Sequence, residues 1–404
     1  MIERKKLVNK VLKYKDKKII KVITGVRRSG KSTLFDLAIN EIISTGIEPL
    51  QIFRYNFEDP SFENLLSWKL LYDDIKNRID PIRMNYIFLD EIQEVDEFER
   101  VVNGLMLLQN VDIYLTGSNA YFLSSELATK LTGRYVEILV QPLSFSEYVG
   151  VFGDKEPIKL FNEYMTNGGF PQLIEFQKSG ISANEDYLQG IYNTVIMKDV
   201  LQRVGIADKS KLYDITRFLF DSIGSLTSYR SIADIMTSAG RKISNHTAEL
   251  YISALVNAFL FYKVERYDLK GKRILSSGCK YYCVDAGLRR YALGKSANTD
   301  LGHVLENIVF LELLRRNKYV WIGKANEHEI DFAAETFSGN TQYYQVAYSV
   351  REEKTLAREL CPLEKIKDFN RRFIITADYD PVASYNGIER INAIDWLLDD
   401  RFEE

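Results

Sequence analysis

Residues 25–32 read Gly25-Val26-Arg27-Arg28-Ser29-Gly30-Lys31-Ser32, two glycines separated by four residues and followed directly by Lys-Ser. This spacing satisfies the phosphate-loop pattern G-x-x-x-x-G-K-[ST] at every fixed position. The glycines let the backbone curl so that successive N–H groups face a phosphate, and the following helix adds the positive end of its dipole. The flanks agree with that role. Residues 18–24, Lys-Ile-Ile-Lys-Val-Ile-Thr, are β-rich, and residues 32–45 carry the apolar spacing of a helix. The expected ligand is ATP, with GTP as the alternative, together with Mg2+. The expected nucleotide contacts are Gly25, Arg27, Arg28, Ser29, Gly30, Lys31, Ser32 and Thr33. Lys31 would reach the β- and γ-phosphates, and Ser32 would hold the magnesium; Arg27 and Arg28 have no separate task.

Further strands are expected at 51–57, 86–90, 112–116 and 135–140, alternating with helical stretches. That alternation predicts an α/β fold with a parallel sheet covered on both faces. The strand Tyr86-Ile87-Phe88-Leu89 runs apolar into Asp90-Glu91. A buried strand ending in two carboxylates supplies what a phosphate loop lacks: Asp90 to steady magnesium and Glu91 to orient or deprotonate the attacking water. The fourth strand ends in Leu115-Thr116-Gly117-Ser118-Asn119. Asn119 and Ser118 are the candidates to sense the γ-phosphate, ahead of Thr116. Arg134, just before the fifth strand, is the candidate to act in trans on a neighbour's nucleotide, which predicts a homo-oligomer.

The chain of 404 residues is 46% hydrophobic and 27% charged, the balance of a globular protein of several domains. It has no apolar run near the ~20 residues of a membrane span and no signal-peptide pattern at its start, so a cytoplasmic location is expected. Three cysteines and three histidines argue against a disulfide framework or a structural zinc. The net charge of −3 conceals an asymmetry: residues 205–290 hold 14 Lys/Arg against 8 Asp/Glu. A basic segment in an acidic chain points toward nucleic acid, or is simply a solvated face.

Four domains are expected. Residues 1–141 form the nucleotide-binding core, and 142–204, without a convincing strand, form a helical lid interrupted at Gly168-Gly169-Phe170-Pro171. Residues 205–295 outline a winged helix-turn-helix, three helical stretches and then two strands (259–267 and 274–284) joined by a basic turn. On its last helix, from Ser244, the residues Asn245 and His246 would face base edges, while Arg241, Lys242, Lys270, Lys272 and Arg273 would contact phosphates. After a linker, residues 296–404 read helix, three strands, helix, strand, helix.

Residues 1–204 resemble the AAA+ ATPases, which implies a sheet order of 5-1-4-3-2. Gly169-Phe170-Pro171 is similar to the Gly-x-Pro lid motif of one branch of that superfamily, which implies that Pro171 lies near the adenine. The whole chain resembles a prokaryotic ATP-binding family with a C-terminal region of unassigned function. The stretches that carry this match are TGVRRSGKST, FLDEIQ, LTGSN, TGRY, PLSFSEY, GGFP, KYYCVDAGLR, LENIVFLEL and EIDFAAE.

In the last domain, Glu306 on a helix, Asp331 on the second strand and Gln345 on the third follow an order that resembles the PD-(D/E)xK nucleases, of restriction-endonuclease-like α/β fold. There the carboxylates hold magnesium and a lysine activates water. The lysine position is Ala347 here. A degenerate, binding-only domain is therefore expected unless Lys354 or another cation replaces it. The expected function is ATP hydrolysis associated with duplex DNA. The alternatives are a nucleotide-controlled switch that clamps a protein partner, and a working metal-dependent nuclease.

Overall fold

The computed structural model describes residues 2–118, 131, 133–153, 155–181, 184–202, 208–294, 300–381 and 383–399. It divides into two compact units, residues 1–142 with the short stretch 257–259, and the remainder from 143 to 404.

In the first unit, β1 (Ile20–Thr24), β2 (Ile52–Asn56), β3 (Asn85–Asp90), β4 (Val111–Gly117) and β5 (Tyr135–Leu139) form one sheet in the order β2-β3-β4-β1-β5. All its pairs are parallel. This is the AAA+ P-loop arrangement, the order 5-1-4-3-2 read from the other edge. Strand alternation divides the core between the two faces. Ile23, Tyr86, Phe88 and Tyr114 pack with Leu34, Phe35 and Ala38 of helix Lys31–Ser44. Val22, Ile87, Leu89, Ile113 and Leu115 pack on the other face with Leu71, Ile75, Val101 and Leu105. Both faces being covered explains why β1, β3 and β4 are buried along their whole length.

The second unit begins with helices Phe145–Phe152, Pro157–Asn167, Pro171–Lys178 and Asn184–Thr194, the last running into a π-helical stretch Val195–Gln202. Helices Lys209–Asp221, Tyr229–Ser238 and Asn245–Asn257 follow. Then come β6 (Phe261–Asp268), β7 (Arg273–Cys283), helices Ala286–Leu293 and Leu301–Arg316, β8 (Tyr319–Ala325), β9 (His328–Glu335) and β10 (Thr341–Ala347). Helix Glu353–Glu364, β11 (Arg371–Thr376), β12 (Ala383–Tyr385), β13 (Ile388–Asn392) and helix Ala393–Leu398 complete the unit.

These strands make one eight-stranded sheet, β12-β13-β11-β10-β9-β8-β6-β7. The expected wing is corrected here. The β6–β7 hairpin is the outer pair of that sheet, because β6 runs parallel to β8 with Arg266, Tyr267 and Asp268 opposite Ile322, Gly323 and Lys324. Tyr267 stacks on Trp321 across this pairing, with centroids 4.9 Å apart. The expected boundary at 295/296 is therefore bridged by continuous backbone hydrogen bonding. Strands β12 and β13 are short and were not anticipated. Among the described residues, no helix is long and apolar enough to cross a membrane.

Candidate nucleotide site and a second polar cluster

β1 ends at Thr24, and the chain enters the loop through Gly25 at φ 145°. A Cβ on Gly25 would lie 2.0 Å from the Val140 carbonyl oxygen, so only glycine fits. Gly30, at φ 96°, caps helix Lys31–Ser44 in the left-handed region. Lys31 is buried; its ammonium donates to the carbonyls of Gly25 at 3.1 Å and Val26 at 3.4 Å. It also lies 3.6 Å from the Glu91 carboxylate. Arg4, before the first helix, donates to the Ser29 carbonyl at 3.1 Å and so props the loop from behind. Arg27 pairs with Glu58, while Arg28 is exposed at φ 69°.

Asp90 ends β3, which pairs with β2 and β4, and Glu91 follows it directly; both are buried. The Thr116 hydroxyl on neighbouring β4 donates to Asp90 Oδ1 and accepts from the Glu91 N–H at 2.8 Å. Thr116 thus fixes the turn that separates the two carboxylates. The second Asp90 oxygen, Oδ2, is buried without a hydrogen-bond partner, and the Ser32 hydroxyl faces the same carboxylate. Burial pushes the Asp90 pKa up, with the Thr116 and Ser32 hydroxyls opposing. A buried carboxylate oxygen left unsatisfied beside a hydroxyl is the donor set a hydrated magnesium ion needs, so the residues present fit that ion.

Glu91 sits at φ 52° in the left-handed region, a strained conformation for glutamate. The Gln93 amide donates to its Oε2. Burial pushes Glu91 up, but Lys31, the Gln93 amide, Arg27 and Ser118 together hold it below the usual glutamate range. Glu91 is therefore ionised at neutral pH. Asn119 lies outside the described residues. Ser118 is buried beside Glu91. Sequence reasoning ranked Thr116 behind Asn119 and Ser118, yet Thr116 is bonded to both the Asp90 carboxylate and the Glu91 N–H.

Arg134 is exposed, and its carbonyl accepts the Ile20 N–H at 2.9 Å. In this register Tyr135 is opposite Ile20 and Leu139 opposite Thr24. The arginine thus starts at the end of the sheet remote from its own phosphate loop, about five residues or roughly 17 Å away along the strand. It lines a cavity of about 300 Å³ with Asn103, Gly104, Met106, Leu107 and Leu131.

Pro171 belongs to the second unit, as the first residue of helix Pro171–Lys178. The turn before it is clamped by Asp285, whose Oδ2 accepts the Gly169 N–H at 2.7 Å and whose Oδ1 accepts the Leu288 N–H at 2.9 Å. A Cβ on Gly168, at φ 77°, would fall 2.1 Å from that carboxylate. Two of the motifs noted in the sequence, GGFP and KYYCVDAGLR, are thereby one structural element. Burial pushes the Asp285 pKa up to about 6, against the N–H groups of Gly169, Leu288 and Gly287. The folded chain holds this proton up to about pH 6, whereas an unfolded one releases it near 3.8. From this group alone, stability therefore falls as pH rises between those values and is level above them. Asp285→Asn should flatten that slope in urea titrations. It should also cost about 1–3 kcal/mol at pH 7, because its NH2 would oppose a backbone N–H.

In the same unit, Glu306, Asp331 and Gln345 do meet. Asp331 donates its N–H to Gln345 Oε1 at 2.7 Å and accepts the Val346 N–H at 2.8 Å through Oδ2. Gln345 donates to Glu359 at 2.9 Å. Lys354 is exposed and takes no part. The cation present is Lys280 of β7, which lies 3.2 Å from Glu306, 3.1 Å from Glu329 and 3.6 Å from Asp331. Tyr282, two residues on, donates to Glu306 at 2.6 Å. Burial acts to lower the Lys280 pKa, but the three carboxylates outweigh it and hold the lysine protonated. Burial and then Glu306 push Asp331 upward. Among the described residues, no group of three or more His, Cys, Asp or Glu is arranged to hold a metal ion. Sequence reasoning missed Lys280 and Tyr282; the signal was a charged residue inside the otherwise apolar run 279–284.

Of the residues expected to meet DNA, Lys242, Asn245, His246, Lys270, Lys272 and Arg273 are exposed. Ser244 caps the helix that carries Asn245 and His246, accepting the Thr247 N–H at 3.1 Å. Arg241 is engaged with Asp214 at 3.0 Å and with Ser210.

Comparison with known proteins agrees with this arrangement. Residues 17–149 match the model of an AAA domain, and 158–299 match a domain of unknown function (DUF8612). An uncharacterized protein of Haemophilus influenzae is 38% identical over 403 residues, 98% of this chain and 99% of its own. The uncharacterized protein MJ1544 of Methanocaldococcus jannaschii is 30% identical over 367 residues, 86% of this chain and 79% of its own. The solved structure of the Walker-type ATPase PABY2304 of Pyrococcus abyssi is similar in fold, with a TM-score of 0.51 at 16% identity. It covers 72% of this chain and 96% of that one. With its P-loop sheet and near end-to-end likeness to the Haemophilus protein, the chain belongs to one family with these two uncharacterized proteins, and it carries an AAA domain over residues 17–149.

Proposed function

We propose that this chain hydrolyses ATP to ADP and phosphate with magnesium, and that duplex DNA is the partner to which hydrolysis responds. The observation that carries the first part is the meeting of Lys31, Ser32, Asp90 and Glu91, with one Asp90 oxygen buried and unsatisfied. The backbone N–H groups of the loop and Lys31 would bind the phosphates, and Ser32 and Asp90 would hold magnesium. Magnesium bound with the nucleotide supplies charge neutralisation on the phosphates. Glu91, ionised and oriented by Gln93, would accept the proton of the attacking water. Lys31, now folded onto the carbonyls of its own loop, would exchange those contacts for phosphate oxygens.

Support for DNA is the exposed first turn of helix Asn245–Asn257, with Asn245 and His246 beside Lys242. A helix N-terminus presenting short polar side chains next to a cation is suited to a major groove. The test is phosphate release measured with and without duplex DNA over rising salt. The expected result is magnesium-dependent turnover, stimulated by DNA and losing that stimulation as salt rises. No turnover overturns the ATPase reading; turnover without DNA binding at low salt overturns the DNA reading alone.

One observation favours the second reading, a switch that clamps a protein. Leu226, Ile235 and Leu250 in the three-helix region are apolar side chains left 46%, 47% and 42% exposed. That reading requires slow basal turnover, indifference to DNA, and a partner whose binding Lys31→Ala changes.

A further inference from the structure

The nuclease-like order of Glu306, Asp331 and Gln345 implies a magnesium ion among them, and the donor atoms in this chain do not fit one. Glu306 Oε1 is taken by both Lys280 and Tyr282. Asp331 Oδ2 accepts the Val346 N–H, and its Oδ1 faces Lys280. Gln345 Oε1, its one ligating atom, accepts the Asp331 N–H. The approach to Glu306 is narrowed by backbone as well. A Cβ on Gly224 would lie 3.1 Å from both Glu306 oxygens, and that loop is tied down by the Gly224 N–H donated to the Tyr281 carbonyl at 3.1 Å.

We propose that the Lys280 ammonium is the resident cation of this cluster, replacing a divalent metal and making the second unit a metal-independent structure. The lysine comes from β7, in the outer hairpin; its partners come from helix Leu301–Arg316 and from β9. One buried charge therefore ties the hairpin and the helix to the middle of the sheet. Without it, Glu306 and Asp331 in their largely buried positions and the partly exposed Glu329 would repel one another. The ammonium is within hydrogen-bond reach of Glu306 and Glu329 and faces Asp331 at 3.6 Å, but it cannot polarise a phosphate as a metal does. This assignment is independent of the nucleotide site.

The test uses the full-length protein without nucleotide, with thermal melting and calorimetric titration of Mn2+. Wild type should melt identically with EDTA and with millimolar Mn2+. Lys280→Arg should stay within a few degrees of it, and Lys280→Met should melt lower by on the order of 10 °C. Mn2+ should restore part of that loss, and Lys280→Met/Asp331→Asn should lose the restoration. An unchanged melting temperature in Lys280→Met overturns the proposal. So does Mn2+ binding by the wild type that Asp331→Asn removes. That last comparison decides alone if Lys280→Met does not fold.

Discussion

Glu91→Gln is expected to lower kcat for ATP hydrolysis by about 10²–10⁴-fold, the range for removing a positioned general base, while ATP still binds. The substitution keeps the side chain's size and its left-handed backbone. What it removes is the negative charge that faces Lys31 at 3.6 Å and the basic oxygen that would take the proton. Phosphate release and binding of a fluorescent ATP analogue separate the two effects. Turnover that survives the change overturns the assignment of the base. The pH dependence is a second reading of the same residue. Lys31, Gln93, Arg27 and Ser118 hold Glu91 below the ordinary glutamate range in spite of its burial. It stays ionised across neutral and mildly acidic pH, so kcat should show no acid limb there from this group. A Gln93→Ala change removes one of those supports and should move the acid limb upward, which a purely structural role for Gln93 would not do.

The candidate nucleotide site was legible because its parts are local in sequence. Residues 25–32 carry their own geometry, and an apolar strand ending in Asp90-Glu91 gains meaning once the loop is recognised. Thr116 was harder. Its neighbour Ser118 reads equally well as a polar strand end, and only the β3–β4 register places the Thr116 hydroxyl between the Asp90 carboxylate and the Glu91 N–H. In the second unit the decisive facts are non-local. A β6–β7 hairpin with a basic turn has the same sequence whether it stands free as a wing or edges a sheet. The outcome depends on pairing with β8, over 50 residues later. The same pairing brings Lys280 to residues 306, 329 and 331. Sequence reasoning took Glu306, Asp331 and Gln345 as a constellation lacking its lysine at Ala347, and looked for the replacement downstream at Lys354. The cation came from upstream, from the hairpin assigned to another domain. Asp285 was invisible for a related reason. An Asp before Ala-Gly-Leu reads as a helix cap, which it is, and nothing local says that its other oxygen holds Gly169.

Arg134→Ala should cost about 10³–10⁵ in kcat, the effect of an arginine supplied in trans to phosphoryl transfer, with little change in ATP affinity. The register argument motivates it. Arg134 begins roughly 17 Å from its own loop along β5, farther than one arginine side chain spans, so its own nucleotide is not its target. A subunit that lacks the arginine retains a complete Lys31–Asp90–Glu91 site, and a Glu91→Gln subunit retains the arginine. Neither variant alone should turn over ATP at more than a small fraction of the wild-type rate. Mixed, they should recover measurable turnover, because an Arg134-bearing neighbour can complete an intact Glu91 site. Phosphate release titrated against the mixing ratio reads this directly, and native mass measurement of the ATP-bound Glu91→Gln protein gives the number of subunits involved. Full activity in Arg134→Ala, or an oligomer whose mixtures show no recovery, would leave the arginine a surface residue and remove the reason to expect a shared site.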